Sequence, residues 1–186
     1  MTGWLNAANA VTLARLAAIP FIVQAMLAGS HTLALWLFVG ASLTDALDGL
    51  LARRFGTHSA AGAYLDPIAD KLLLSAVYIA LGAIATVPGW LVAVILGRDV
   101  LLLAASGIAL RLTRLRQFPP SRWGKLSTVL QMLLASIAML DNAAPSPAVA
   151  WWTRALVWPV ALVTVGSGLH YGAQGLTRLT RPATRE

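Results

Sequence analysis

Apolar residues run along this chain in six long blocks, separated by short stretches rich in glycine, proline and polar residues. Each block approaches the ~20 residues that carry a helix across a bilayer core. The pattern predicts helices over residues 10–28, 32–53, 62–84, 90–111, 125–140 and 148–171. Three of the joining turns, "AGSH", "ATVPG" and "DNAAPSP", contain no lysine or arginine. The other connections carry Arg53 and Arg54, then Arg111, Arg114, Arg116, Arg122 and Lys125, and the tail carries Arg178, Arg181 and Arg185. Basic loops stay on the cytoplasmic side. The expected fold is therefore all-α: a polytopic membrane protein with six transmembrane helices and both termini cytoplasmic.

Composition sharpens this picture. The chain is 58% hydrophobic and only 11% charged, with a mean hydropathy of +0.73, far from the average of soluble domains. Trp90, Trp151 and Trp152 fall near the expected outer ends of helices, and Trp4 and Trp123 near the inner ends, as interfacial aromatic belts require. The net charge of +7 is a topology signal and an attraction to anionic lipid before it is a nucleic-acid signature, so no nucleic-acid partner is expected. With no cysteine, thiol and Cys-zinc chemistry are excluded. The start lacks a basic n-region and Arg15 interrupts the first apolar run, so a cleaved signal peptide is not expected. There is no internal repeat or linker, which reads as one domain over residues 1–186.

The charge that remains is concentrated. Asp45, Asp48, Asp66 and Asp70 are four of the chain's seven acidic residues. Asp45 and Asp48 stand three apart, and Asp66 and Asp70 four apart, so each pair shares one face of its own helix. The short connection "RFGTHSAA" would fold the two helices antiparallel and bring the pairs to similar depth at the cytoplasmic end. Four carboxylates converging in a partly dehydrated pocket repel one another, and bound cations resolve that repulsion. Ligation by oxygen alone suits Mg²⁺ or Mn²⁺, and four carboxylates suit two metals better than one. The bland alternative is that these acids form interfacial salt bridges with Arg53, Arg54 and Lys71. Ionisable residues at membrane depth nevertheless point first to function.

The full spacing is D-x2-D-G-x2-A-R-x8-G-x3-D-x3-D, running from Asp45 through Gly49, Ala52, Arg53, Gly62 and Asp66 to Asp70. It resembles, without a departure, the signature of the CDP-alcohol phosphatidyltransferase family. That resemblance implies a six-helix membrane enzyme that moves a phosphatidyl group from CDP-diacylglycerol to an alcohol and releases CMP. Carried over by position, Asp45, Asp48, Asp66 and Asp70 would hold two divalent cations on the diphosphate, with Asp70 the candidate base for the acceptor hydroxyl. Gly49, Ala52, Arg53 and Gly62 correspond to the positions that bind the CDP part. The physical chemistry is compatible: two metals stabilise the attacking and leaving oxygens of an in-line displacement, and Arg53 offers a planar fork to phosphate. Gly49 and Gly62 let a ligand approach the backbone, although tight helix packing would also select glycine there. Asp66 precedes Pro67, which places it near a helix start.

The acceptor is written more faintly. The opening "NAANAVTLARLAAIP", with Asn9, Thr12, Arg15 and Pro20, resembles the start of the phosphatidylglycerophosphate and cardiolipin synthase branches, as does "LDPIADKLL". Arg15 shares a broad helix face with Thr12 and Asn9, turned towards the site or snorkelling to the interface. "GRDVLLLA" puts Arg98 and Asp99 inside the fourth helix, either as a structural pair or with Arg98 gripping an acceptor phosphate. "RD", "GKLSTVLQ" and "LHYG" lean to the CMP-forming cardiolipin synthases. Gly97 and Gly124 depart from the serines usual before the Arg and the Lys. Lys125 is a further acceptor candidate, although "GKLST" is no P-loop, because Pro119 stands where that motif needs glycine. Among the histidines, His58 reads as solvated, and His31 and His170 have no evident partner. Gly168 and Gly172 suit close helix packing, within the chain or in a homodimer.

The expected partners are thus CDP-diacylglycerol, a phosphate-bearing alcohol and the bilayer, with the site at the cytoplasmic face of an integral membrane protein. Phosphatidylglycerol is narrowly favoured over glycerol 3-phosphate as acceptor. Two other classes compete: a cation transporter using the same acids, and a structural scaffold in which Asp48→Asn would be harmless.

Overall fold

A computed structural model describes the backbone of residues 7–55, 62–112 and 122–179, and the side chains of residues 11–44, 68–104 and 123–171. Among the described residues there are six helices and no strand. They are α1 (Ala7–Leu27), α2 (His31–Phe55), α3 (Gly62–Ala83), α4 (Gly89–Leu112), α5 (Arg122–Ala143) and α6 (Pro147–Leu179). The expected elements all form. The ends shift by a few residues, most for α6, which continues from 171 through Gly172 and Gly175 to Leu179 with no proline in that stretch.

Local chemistry sets the turns. Gly29, at φ 77°, closes α1: Ser30 N donates to Ala25 O at 2.9 Å and Gly29 N to Met26 O at 3.2 Å. This is the Schellman pattern, and glycine adopts its left-handed residue without a Cβ penalty. The turn after α3 repeats it with Ala85 at φ 59°, where Thr86 N reaches Leu81 O at 3.0 Å and Ala85 N reaches Gly82 O at 3.1 Å. Ser146 caps α6, its Oγ accepting from Val149 N at 3.3 Å. Pro147 follows in the first helical position, where its missing N–H is not needed. The hydroxyls of Thr44, Thr128, Ser136 and Thr153 each donate to the carbonyl four residues back, so these polar groups are satisfied within their own apolar helix.

Packing is organised around α1 and α5. Helix α1 lies against α2 and α3, α5 against α2, α3 and α6, and α4 against α3 and α6. Buried Ile22, Phe38, Tyr78, Leu81, Leu91 and Leu134 knit these contacts into one apolar core. A polar seam crosses it: Tyr78 Oη donates to Gln131 O at 2.8 Å, and Gln131 Nε2 donates to Ser127 Oγ at 3.1 Å and Thr164 Oγ1 at 3.0 Å. Interhelical hydrogen bonds of this kind hold helices together where burial of apolar surface gives no drive. The outer surface is apolar as well, with Phe21, Trp36, Leu101, Trp158, Leu162 and Leu169 all at least 62% exposed. Among the described residues two segments, Trp123–Ala143 and Pro147–Tyr171, are long and apolar enough to cross a membrane by length and composition.

Candidate functional site

Asp45, Asp48, Gly49, Ala52 and Arg53 lie on the second half of α2, and Gly62, Asp66 and Asp70 on the first half of α3. Of these, only the side chain of Asp70 is among the described residues, so the expected convergence of the two acid pairs lies outside them. The backbone fixes the arrangement of the carriers. Among the described residues α2 and α3 do not touch, and both pack against α1. Helix α1 packs on both acid-bearing helices, a role that the spacing of the acids did not foretell. Helix α3 begins at Gly62 and has no acid in its first turn, so Asp66 and Pro67 lie one turn inside the helix rather than at its start, beyond the four amides that lack an intrahelical acceptor.

What α1 contributes is Arg15. Its side chain is 2% exposed, and its guanidinium donates to Asp70 Oδ1 at 2.6 Å, while the Asp70 side chain remains 45% exposed. A buried cation thus reaches across to a carboxylate at the rim of the bundle. Charge-assisted bonds of this length are among the stronger hydrogen bonds and fix orientation as well as energy. Arg15 is not snorkelling. It is buried beside Thr12 on the same face of α1.

On its other side Arg15 lines a cavity of about 150 Å³ between α1 and α2, together with Val11, Ala14, Ala18, Ala41 and Thr44. Thr44 immediately precedes Asp45 in the chain. Small-molecule pockets usually span ~300–1,000 Å³. Among the described residues this space is smaller than that and lined mainly by small apolar side chains.

A second charged cluster sits on α4. Asp99 Oδ1 accepts from Lys71 Nζ of α3 at 2.7 Å and from Arg98 at 2.6 Å. Arg98 also donates to Ser167 Oγ of α6 at 3.0 Å. Arg98 and Asp99 are buried, so the structural pairing foreseen for them exists. Lys71 joins Asp99 across helices, where the sequence had suggested a partner among the four site acids. The side chains of Arg53 and Arg54, the other suggested partners, lie outside the described residues. Gly124 gives this cluster room. A Cβ there would stand 3.1 Å from Tyr171 Oη and 3.4 Å from Arg98. Lys125 is exposed. His170, expected to lack a partner, meets the Tyr171 ring edge-on at 6.4 Å between centroids. Nothing in the spacing announced Ser167 or the reach from Lys71 to Asp99, because both depend on how α3, α4 and α6 are packed.

The donor set can be tested against the implied metals. Among the described residues no three His, Cys, Asp or Glu side chains gather, because three of the four acids fall outside them. The chemistry of the set is nevertheless uniform: carboxylate oxygens alone, one of them seen half-exposed at the rim. Hard divalent cations that keep some water, such as Mg²⁺, take this kind of ligand.

An all-helical bundle whose second and third helices carry this acid pattern defines a class, and comparison with known proteins agrees. Residues 5–165 match the model of the CDP-alcohol phosphatidyltransferases. The chain belongs to that family, and so is a transferase of phospholipid biosynthesis. Its relatives divide by acceptor. A probable phosphatidylglycerophosphate synthase of Mycobacterium tuberculosis is 34% identical over 177 residues, covering 92% of this chain and 82% of that protein. A CDP-diacylglycerol–glycerol-3-phosphate 3-phosphatidyltransferase of Bacillus subtilis is 33% identical, covering 89% and 93%. A cardiolipin synthase (CMP-forming)/mitochondrial hydrolase fusion protein of Schizosaccharomyces pombe is 32% identical, covering 88% of this chain and 30% of that protein.

Proposed function

We propose that this chain transfers the phosphatidyl group of CDP-diacylglycerol to the free hydroxyl of phosphatidylglycerol, giving cardiolipin and CMP. It would do so as one domain crossing the membrane six times, with both termini and the site on the cytoplasmic side. The observation that carries the transfer reaction is that every motif position falls on two consecutive helices packed on a common third. The apolar outer surface and the basic loops support the membrane reading.

In this reading Asp45, Asp48, Asp66 and Asp70 hold two divalent cations, Mg²⁺ or Mn²⁺, and Gly49, Ala52, Arg53 and Gly62 receive the cytidine diphosphate. Bound cations neutralise the diphosphate and favour charge build-up on the attacking and leaving oxygens. The acceptor oxygen forms a bond to the phosphatidyl phosphorus as the bond to the CMP oxygen breaks. Asp70 takes the acceptor's proton, and CMP departs as a phosphate monoester. Arg15 orients Asp70 through the 2.6 Å bond, and holding a reacting group in place accounts for much of the rate in such displacements. Arg15, Arg98 and Lys125 are the candidates for the acceptor's phosphate.

Phosphatidylglycerol is preferred because "RD" within α4, "GKLST" and "LHYG" lean to the cardiolipin-forming pattern, although Gly97 and Gly124 depart from it. Glycerol 3-phosphate is the second reading, favoured by the names of the relatives from Mycobacterium tuberculosis and Bacillus subtilis, whose lengths this chain largely covers. The test is to supply purified protein with CDP-diacylglycerol, Mg²⁺ or Mn²⁺ and each acceptor, and to follow CMP and the lipid product. Cardiolipin should form. Phosphatidylglycerophosphate instead would select the second reading, and no CMP from any alcohol would overturn the transferase reading. A homodimer is a further expectation, checked by the mass of the protein in nanodiscs; Gly168 of α6 is taken up by packing on Arg98 of α4 within the chain.

A further inference from the structure

The pairing of Lys71 with Asp99 has a bearing on the neighbouring acids. Lys71 follows Asp70 directly, so an ammonium is tethered to the turn of α3 that carries Asp66 and Asp70. A cation there repels any divalent cation those carboxylates hold, and the repulsion is strong where water is partly excluded. In the structure the ammonium is drawn away to α4, where Asp99 Oδ1 accepts it at 2.7 Å. Asp99 is a buried carboxylate, its side chain 9% exposed, and the same oxygen also accepts from Arg98 at 2.6 Å. Arg98 is in turn anchored to α6 through Ser167 at 3.0 Å. Its Nε is buried and has no hydrogen-bond partner among the described residues. Two cations therefore depend on one acid, and the triad keeps a net charge of one.

We infer that Asp99 is a positioning residue that shields the metal-binding acids: it holds Lys71 on the α4 side and cancels one of the two positive charges of its triad. This rests on the two-metal reading of Asp45, Asp48, Asp66 and Asp70. It differs from a purely mechanical clamp between α3 and α4 in one respect. A clamp is broken equally by losing Lys71 or by losing Asp99, whereas a charge shield is needed only while Lys71 is present.

The experiment measures Mn²⁺ binding directly, by paramagnetic resonance of the free ion, on the full chain in nanodiscs without substrate. Wild type is compared with Asp99→Asn, Lys71→Met and the double variant. Asp99→Asn should bind Mn²⁺ about tenfold more weakly, the scale of one uncompensated charge near a partly dehydrated site. Lys71→Met alone should bind at least as well as wild type. The double variant, whose triad regains the wild-type net charge, should recover to within about twofold, again on charge alone. Equal affinity in Asp99→Asn, weakening in Lys71→Met, or no recovery in the double variant would each overturn the inference. Should Asp99→Asn not fold, Lys71→Met and the double variant decide the matter, since weaker binding in either overturns it. Wild-type protein that binds no Mn²⁺ would instead remove the two-metal reading on which the shield depends, and the shield with it.

Discussion

Asp70→Asn and Arg15→Met each delete one half of the same ion pair, and their effects on stability should differ in size. The pair joins a side chain that is 2% exposed to one that is 45% exposed, at 2.6 Å. At an effective dielectric of ~20, unit charges about 4 Å apart attract by about 4 kcal/mol. Removing one partner of a fully buried pair costs about 3–5 kcal/mol, mainly through the charge left behind. Asp70 is almost half in solvent, so water replaces part of its contribution, and Asp70→Asn should cost about 1–2 kcal/mol. For a chain of this size that lowers the apparent melting midpoint by about 2–8 °C. Arg15→Met removes the buried charge itself and keeps an unbranched apolar stem in its place. The charge it leaves behind, Asp70, is 45% exposed and is hydrated instead, so the midpoint should move by less than about 2 °C. Transfer activity should follow another order: Asp70→Asn abolishes CMP release, and Arg15→Met lowers it by about 10–100-fold through lost orientation. Thermal unfolding in nanodiscs beside a CMP assay reads both quantities. A midpoint that falls more for Arg15→Met than for Asp70→Asn would refute the reasoning, as would an Asp70→Asn protein of wild-type activity.

Three further outcomes are expected. Gly82→Ala should lower the melting midpoint, because the new Cβ would stand 3.0 Å from Val92 Cγ2; overpacking costs about 1–3 kcal/mol against about 1 kcal/mol gained in helix propensity. The loss should shrink when Val92→Ala is added. Ala85→Gly should raise the midpoint by about 2–4 °C, since Ala85 adopts φ 59° and relief of a left-handed alanine is worth about 1 kcal/mol. Chelation of divalent cations should stop CMP release, with recovery on adding Mg²⁺ or Mn²⁺, and Asp48→Asn should stop it while the helical circular dichroism stays unchanged. An Asp48→Asn protein that still releases CMP would contradict the assignment of that acid.

Much of this protein is determined along the chain itself. The apolar blocks give six helices because a helix needs only its own backbone partners and a run of compatible side chains. Their ends follow from local chemistry at Gly29, Ser146 and Pro147. The acid motif is equally legible, because the spacing of Asp45, Asp48, Asp66 and Asp70 is a property of two helices and needs no knowledge of a third. Tertiary structure decided what lies between and beside them. Arg15 is 55 positions from Asp70 in the chain, and only the packing of α1 on α3 decides between the two readings open to it, the site or the interface, and names its partner carboxylate. Lys71 could have answered any nearby acid. It answers Asp99 because α4 packs on α3 and offers a buried carboxylate that already serves Arg98. Short-range rules choose the helices, but long side chains pair according to which helices become neighbours, and that is settled by the whole bundle.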